Sequence, residues 1–237
     1  MKNLYIVSLI LARSGSKGII DKNIINYKNK PLIAHTIEQS LNSKYIEKTF
    51  VSTDSEKYQK IAIEYGAEAP FLRPSAISQD LSTDYEAFEH FINYLKSKNT
   101  RVPDIIIHLR TTYPSRSVKD IDKAVELFIE NYDALDSLRS VVEVMHTPYK
   151  MWTLEENTLQ PLLTIKGLVE PYNEPRQNLP TVYWQNACID IVKTSTIINK
   201  KSISGDSIYA YVMSKNEIHD IDELIDLERL NNQDLQG

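Results

Sequence analysis

Between Leu11 and Asn23 the chain reads LARSGSKGIIDKN. Arg13, Lys17 and Lys22 bring three cations to this stretch, and Gly15 and Gly18 bring backbone freedom. In a glycine-bearing turn several backbone N–H groups can converge on one anion, and glycine permits close approach. With the cations added, the loop suits a polyphosphate whose charge grows during reaction. Its spacing is neither Gly-x-x-x-x-Gly-Lys-Ser/Thr nor Gly-x-Gly-x-x-Gly. The plain alternative is a solvated basic loop.

A second constellation is Asp220-x-Asp222, in HDIDELID. In an extended segment, positions i and i+2 face the same way, so two carboxylates there could share a cation that prefers oxygen ligands. The same residues could instead cap the helix ELIDLERL. His219 is a bystander, and no His/Cys cluster points to zinc. Arg73, in FLRPSAISQD, either faces a ligand or pairs with Asp80. Arg116 is expected to fix its own loop. Cys188 is the one cysteine and lies in the apolar run ACIDIV. It cannot form an internal disulfide and reads as core, which suits a reducing cytoplasm.

These residues need elements to hold them. NLYIVSLILA is a near-continuous apolar run, as expected of a strand covered on both faces. Pro31 opens a helix whose Leu32, Ile33, Thr36, Ile37 and Leu41 share a face. IEKTFVST reads as a second strand, and SEKYQKIAIEYGA as a helix capped by Ser55 and ended by Gly66. TDYEAFEHFINYLKSK is an amphipathic helix, DIIIHLRTT a buried strand and SVKDIDKAVELFIEN a further helix. This alternation predicts an α/β fold with a mostly parallel sheet. After about residue 138 the rhythm changes. SLRSVVEVMH, KMWTLEE and TLQPLL read as strands without intervening helices, and Pro171, Pro175 and Pro180 follow. Residues 142–182 are therefore expected to leave the main sheet. YWQNACIDIVK and IYAYVMS resume as strands, and DIDELIDLERLNN as a helix.

The 237 residues carry a net charge of −5, which gives no general footprint for nucleic acid or an anionic membrane. An anion site must then be a local cluster of Arg and Lys. Residues 4–12 are too short to span a bilayer and lack the flanks of a signal peptide. A cytoplasmic protein is expected, with no nucleic-acid or membrane partner.

The order Ala12-Arg13-x-Gly15-Ser16-Lys17-Gly18, then Lys22-Asn23, directly after the first strand, resembles the signature of the acylneuraminate cytidylyltransferases, the CMP-sialic acid synthetase family. Other segments fit in order. FVSTDSEKYQKIAIEYGAE resembles the family's second strand and helix, and FLRPSAISQD its Arg-Pro segment. HLRTTYPSR stands where the family shows Leu-Gln-Pro-Thr-Ser-Pro-Leu-Arg. HTPYK resembles its Pro-x-Lys, PRQNLPTVYWQNACIDI its Arg-Gln-x-Leu-Pro and Asn-Gly-Ala-Ile-Tyr-Ile, and HDIDELID its Asp-Ile-Asp.

The resemblance implies a Rossmann-like nucleotidyltransferase domain over 1–237, with a mostly parallel sheet flanked by helices. A projecting β-rich dimerisation arm at 142–182 would contribute to the sugar site of a homodimer. It implies a reaction of CTP with a 2-keto sugar acid to give CMP-sugar and pyrophosphate, the anomeric hydroxyl attacking the α-phosphate. By resemblance, Arg13, Ser16, Lys17 and Lys22 cradle the triphosphate, with Lys22 nearest the α-phosphate, and Asn23 holds phosphate or ribose. Arg73 lies near the cytosine or the phosphates. Asp220 and Asp222 hold Mg²⁺, with Mn²⁺ as a substitute, so Arg13, Lys22 and Asp222 form the catalytic set. Arg110, Lys150 and Arg176 are the expected partners of the sugar carboxylate, since arginine can hold one with two parallel hydrogen bonds. Gln177, Asn186 and Asp190 complete the implied sugar site.

The chain departs from the family pattern where the sugar pocket is shaped. Arg110 stands in place of Gln, Ala187 in place of Gly, and Asp190 in place of Tyr. Arg110 and Asp190 are expected either to pair with each other or to recognise substituents absent from sialic acid. A legionaminic or pseudaminic acid is thus preferred over N-acetylneuraminate. Two rival readings exist. A glycosyltransferase would carry its Asp-x-Asp after a mid-chain strand, and a non-catalytic nucleotide-binding protein would not need Lys22 and both aspartates together.

Overall fold

In a computed structural model, the apolar run near the N-terminus forms β1 (Ile6–Leu11), buried along nearly its whole length. The structure describes residues 3–16, 18–214, 220, 221, 223, 225, 226, 228 and 230. Strand β1 lies between β2 (Lys48–Ser52) and β3 (Ile105–His108), parallel to both. Its side chains alternate. Ile6 and Ile10 join one apolar core, with Ile33 and Ile37 of α1 (Leu32–Leu41). Val7 and Leu9 join a second, with Phe88 and Phe91 of α3 (Asp84–Ser97). A strand with helices on both faces has no polar side, which is why it reads as unbroken apolar sequence.

The helices begin where cap residues stand. Ser55 Oγ accepts the Tyr58 N–H at the start of α2 (Glu56–Glu64). The positive φ of Gly66, 93°, reverses the chain beyond it. Thr83 and Glu86 form a reciprocal capping box on α3. Ser117 caps α4 (Val118–Glu130) through the Lys119 N–H. Each such cap satisfies an N–H that the first turn cannot pair.

Besides a two-residue antiparallel pair, Asn26–Tyr27 with Lys30–Pro31, the further strands are β4 (Ser137–Glu143), β5 (Trp152–Glu155), β6 (Thr158–Pro161), β7 (Tyr183–Lys193) and β8 (Ile208–Val212). The main sheet runs β8-β4-β7-β3-β1-β2. Strand β7 is antiparallel to both β3 and β4, and every other adjacent pair is parallel. After β7 comes a short helix, α5 (Thr194–Lys200), where no helix is expected from the sequence. From β1 the chain goes first to β2 on one side and later to β3 on the other. That makes the carboxyl ends of β1 and β3 a switch point, where open α/β sheets bind ligands.

The excursion leaves the sheet slightly later than the sequence suggests. Val142 and Glu143 still belong to β4, paired with Trp184 and Tyr183 of β7. Beyond them β5 and β6 form a separate two-stranded hairpin. Trp152 stacks on Tyr172 with ring centroids 4.4 Å apart, while Leu154 is 68% exposed. At the far end of the chain, Ile221 and Leu230 pack with Ile19, Tyr27 and Leu32. This small cluster brings Asp220 back to the mouth of β1.

Candidate functional site

A cleft of about 670 Å³ opens at the carboxyl ends of β1 and β3. The loop after β1 contributes Arg13, Ser16, Gly18, Lys22 and Asn23. The 73–84 segment contributes Arg73, Gln79, Ser82 and Asp84. Strand β3 and its loop contribute His108, Arg110 and Thr111, β7 contributes Ala187, and the C-terminal segment contributes Asp220 and Glu223.

The basic loop is held in shape by polar anchors. Asp54, just past β2, accepts both the backbone N–H and the hydroxyl of Ser14, each at 2.7 Å. Gly15 follows with φ 73°, a turn that a side chain would strain. Asp21, also left-handed at φ 54°, accepts from Lys57 Nζ at 2.9 Å and from the Tyr58 hydroxyl at 3.0 Å. The Lys57 bond, then the Tyr58 one, hold the Asp21 carboxyl below its usual range. Lys22 begins the next turn and so inherits a fixed backbone. Asn23 is buried, with Nδ2 donating to the Arg13 carbonyl at 2.8 Å and Oδ1 accepting from Thr111 Oγ1 at 2.5 Å.

Arg13 pairs with Asp80 at 2.8 Å. Asp80 therefore bridges to the basic loop, while Arg73 turns to Ser78, its Nε donating to that hydroxyl at 3.1 Å. Burial lowers the pKa of Arg73. A guanidinium remains charged at any physiological pH, so Arg73 brings a desolvated cation to the cleft.

In the wall formed by β3 and α3, Arg110 donates from one terminal nitrogen to Asp84 Oδ2 at 2.8 Å. His108 Nδ1 lies 4.0 Å from the same oxygen. Burial pushes the His108 imidazole down to about 3, so it is neutral at neutral pH. Burial works to raise Asp84, but the bonded Arg110 guanidinium outweighs it and holds the carboxyl below its usual range. Asp190 sits across from His108 in the β3–β7 pairing, 2% exposed and bonded to Arg139 at 2.9 Å. Burial raises its pKa. Arg110 and Asp190 thus do not pair with each other.

Asn186 is also behind the wall. Its Oδ1 accepts from Ser140 Oγ at 2.6 Å, and its carbonyl accepts from the Tyr113 hydroxyl. These bonds pin an irregularity in the β4–β7 pairing, where Ala187 takes φ 56° and lines the cleft. Arg116 donates to the carbonyls of Cys188 and Arg110, both at 2.7 Å, and so fixes its loop as expected. Cys188 is buried, and burial raises its thiol pKa, in keeping with a core role.

The structure thus gathers Arg13, Ser16, Lys22, Asn23, Arg73, Arg110 and Asp220 around one cleft. Lys150, Arg176 and Gln177 lie in the excursion between β4 and β7, with Arg176 bonded to Glu143 at 3.1 Å and to the Val144 carbonyl at 2.9 Å. Lys17 and Asp222 lie outside the described residues. Asp54, Asp84, His108 and Thr111 carry the site's polar framework, although none of them reads from sequence as a site residue. Asp84 reads from sequence only as the start of an amphipathic helix, 26 residues from its partner Arg110.

A family model described as Cytidylyltransferase matches residues 7–183. The chain belongs to the cytidylyltransferase family. The matched span holds the whole basic loop and the Arg110–Asp84 wall, whereas Asp220 lies beyond it. The chain is 32% identical over 223 residues to an N-acylneuraminate cytidylyltransferase of Escherichia coli, covering 94% of this chain and 50% of the relative. It is 31% identical over 228 residues to a pseudaminic acid cytidylyltransferase of Campylobacter jejuni, covering 96% of this chain and 94% of the relative. The chain thus spans half of the first relative and nearly all of the second. Among solved structures, a CMP:2-keto-3-deoxy-manno-octonic acid synthetase complexed with CTP superposes with a TM-score of 0.70 at 14% identity, over 98% of both chains. A cytidylyltransferase of Leptospira borgpetersenii gives 0.61 at 18% identity, over 96% of this chain and 85% of that one. At these identities the likeness is one of fold. Among the described residues, no helix is long and apolar enough to cross a membrane.

Proposed function

We propose that this cytidylyltransferase joins CMP from CTP to a 2-keto sugar acid of the nonulosonate class and releases pyrophosphate. The observation that carries the reading is the basic loop, anchored by Asp54 and Asn23, opening into one cleft with Arg73 and Arg110. A cleft rich in fixed cations suits two anionic substrates, and nucleotidyl transfer is mainly positioning plus charge stabilisation.

In this reading the anomeric hydroxyl attacks the α-phosphorus. An O–P bond forms, the bond to the bridging oxygen breaks, pyrophosphate leaves and the hydroxyl proton passes to solvent water. Arg13, Ser16, Lys17 and Lys22 hold the triphosphate, with Lys22 nearest the α-phosphate. Arg13 exchanges Asp80 for phosphate. Asn23, whose amide already locks the loop, offers its remaining N–H to phosphate or ribose. Arg73 faces the base or the phosphates. Asp220 lines the cleft, and its carboxylate suits a hard cation such as Mg²⁺ or Mn²⁺. With Asp222 it would hold the metal, which when bound draws charge from the phosphate oxygens and acidifies the attacking hydroxyl.

The sugar acid would lie against Arg110, with Asn186 and Asp190 shaping the wall from behind. Lys150, Arg176 and Gln177 would reach the site from the arm of a second copy. A lone hairpin with exposed apolar side chains is marginal in water, which supports a homodimer built on the arm. A compact monomer in sedimentation at micromolar concentration would contradict that assembly. The names of the relatives point to sialic or pseudaminic acid, and the charged Arg110 favours a pseudaminic or legionaminic acid over N-acetylneuraminate. The buried free Cys188 fits work in the cytoplasm. Pyrophosphate release from CTP against a panel of 2-keto sugar acids tests the reading. Turnover with none of them contradicts it.

A further inference from the structure

Two arginines of the cleft are each held by an aspartate from one short segment of chain. Asp80 pairs with Arg13 and Asp84 with Arg110, both at 2.8 Å. The two pairs are built on different ground. Asp80 stands in a turn ahead of α3. Asp84 is the first residue of α3, flanked by the reciprocal bonds of Thr83 and Glu86. One helical turn on, Phe88 shares its face and is anchored in the apolar core at 1% exposed. The His108 ring packs edge-on to Phe88, with centroids 5.5 Å apart, and sets its Nδ1 4.0 Å from Asp84 Oδ2. That ring is neutral at neutral pH, so it brings no charge to draw Asp84 away from Arg110.

Arg110 is thereby fixed at both ends. Its carbonyl accepts from Arg116 Nη2 at 2.7 Å and from Thr36 Oγ1 at 3.3 Å, which holds the backbone just beyond β3. Its head donates from Nη2 to Asp84 Oδ2. A guanidinium on a long, flexible stem loses rotamer freedom whenever a ligand orders it, and a head already in place avoids that cost. One bond to Asp84 does not use up the guanidinium, which has five N–H groups. We infer that Asp84 is a positioning residue, holding the Arg110 head at the sugar subsite so that the sugar carboxylate meets a cation already in place. This inference rests on the nonulosonate reading above, in which the sugar acid lies against Arg110. Asp84 acts through Arg110 alone, and the sugar carboxylate approaches the N–H groups that Asp84 leaves open. Without Asp84 the head swings, and each binding event must order it again.

The test measures the KM of the sugar acid and the KM of CTP in the wild type, Asp84→Ala, Asp84→Asn and Arg110→Gln, and in Arg110→Gln combined with each Asp84 change. The sugar is whichever of pseudaminic, legionaminic and N-acetylneuraminic acids the wild type turns over fastest, so the outcome does not depend on sugar preference. Asp84→Ala should raise the KM of the sugar about three- to tenfold, the scale of ordering one long side chain, and leave the KM of CTP within about twofold. Asp84→Asn still offers Arg110 a neutral acceptor and should fall between the wild type and Asp84→Ala. In the Arg110→Gln background the Asp84 changes should move the KM of the sugar by less than about twofold, because their effect passes through Arg110. Gln stands at this place in the family pattern, so that background is expected to stay active. If Asp84→Ala does not fold, Asp84→Asn makes the same comparison in both backgrounds. A lower KM for the sugar in the Asp84 variants would show that Asp84 competes with the sugar for Arg110, and an equal rise in both backgrounds that it acts apart from Arg110. Either result, an unchanged KM for the sugar or a matching rise in the KM of CTP would overturn the inference while leaving the cytidylyltransferase reading intact. No turnover by the wild type with any of the three acids would overturn both.

Discussion

Thr111, in the turn that follows β3, donates from Oγ1 to Asn23 Oδ1 at 2.5 Å, and Asn23 passes the connection on to the Arg13 carbonyl. One side-chain relay thus locks the basic loop to the turn beyond the neighbouring strand. Thr111→Val keeps the shape and removes the donor. Leaving a buried acceptor unpaired costs about 1–3 kcal/mol. The expected outcome is a lower unfolding midpoint together with a several-fold rise in the KM of CTP. A variant that loses stability but keeps its CTP affinity would show that the relay does not shape the nucleotide site.

Lys22→Ala should fold normally, since Lys22 lies in the cleft rather than in a core. Loss of one key charge stabiliser lowers turnover by roughly a hundredfold or more. Steady-state kinetics on the purified variant check this, and a near-normal kcat would return Lys22 to the role of a surface lysine.

Metal dependence is expected from the proposed role of Asp220, which lines the cleft. Chelation should stop turnover, and Mg²⁺ or Mn²⁺ should restore it. Asp222→Asn and Asp220→Asn should raise the metal concentration needed or abolish activity. Full activity in the presence of chelator would remove both aspartates from that role.

Acid stability carries the mark of His108. Its folded pKa, about 3, lies below the ordinary histidine value, so between roughly pH 6.5 and 3 the unfolded chain binds the extra proton. Stability conferred by the neutral ring is present in full above that window and lost as pH falls through it, at up to about 1.4 kcal/mol per pH unit. Asp190, whose pKa is raised, works in the opposite sense. Urea midpoints measured from pH 7 to pH 4 should therefore fall less steeply in His108→Gln than in the wild type. Equal slopes would show that His108 is not held neutral by its burial.

Much of this architecture is legible in the residues themselves. The unbroken apolar run of β1 signals a strand covered on both faces, and Ser55, Thr83 and Ser117 stand where their helices begin. The glycines and cations of the loop announce an anion site. The direction of β7 is not legible, because an apolar strand reads alike whether its neighbours run with it or against it. Helix α5 has only seven residues, too few for a clear period. The Asp84–Arg110 pair joins a helix start to a strand end through tertiary packing alone, and nothing local in either segment names the other.

The most direct test of the whole account is pyrophosphate release from CTP, in the presence of Mg²⁺, with pseudaminic, legionaminic and N-acetylneuraminic acids offered separately. The account predicts stoichiometric pyrophosphate and CMP-sugar with pseudaminic or legionaminic acid and weak or no turnover with N-acetylneuraminate. High specificity for N-acetylneuraminate would contradict the sugar assignment, and absence of pyrophosphate with every acid would contradict the cytidylyl transfer itself.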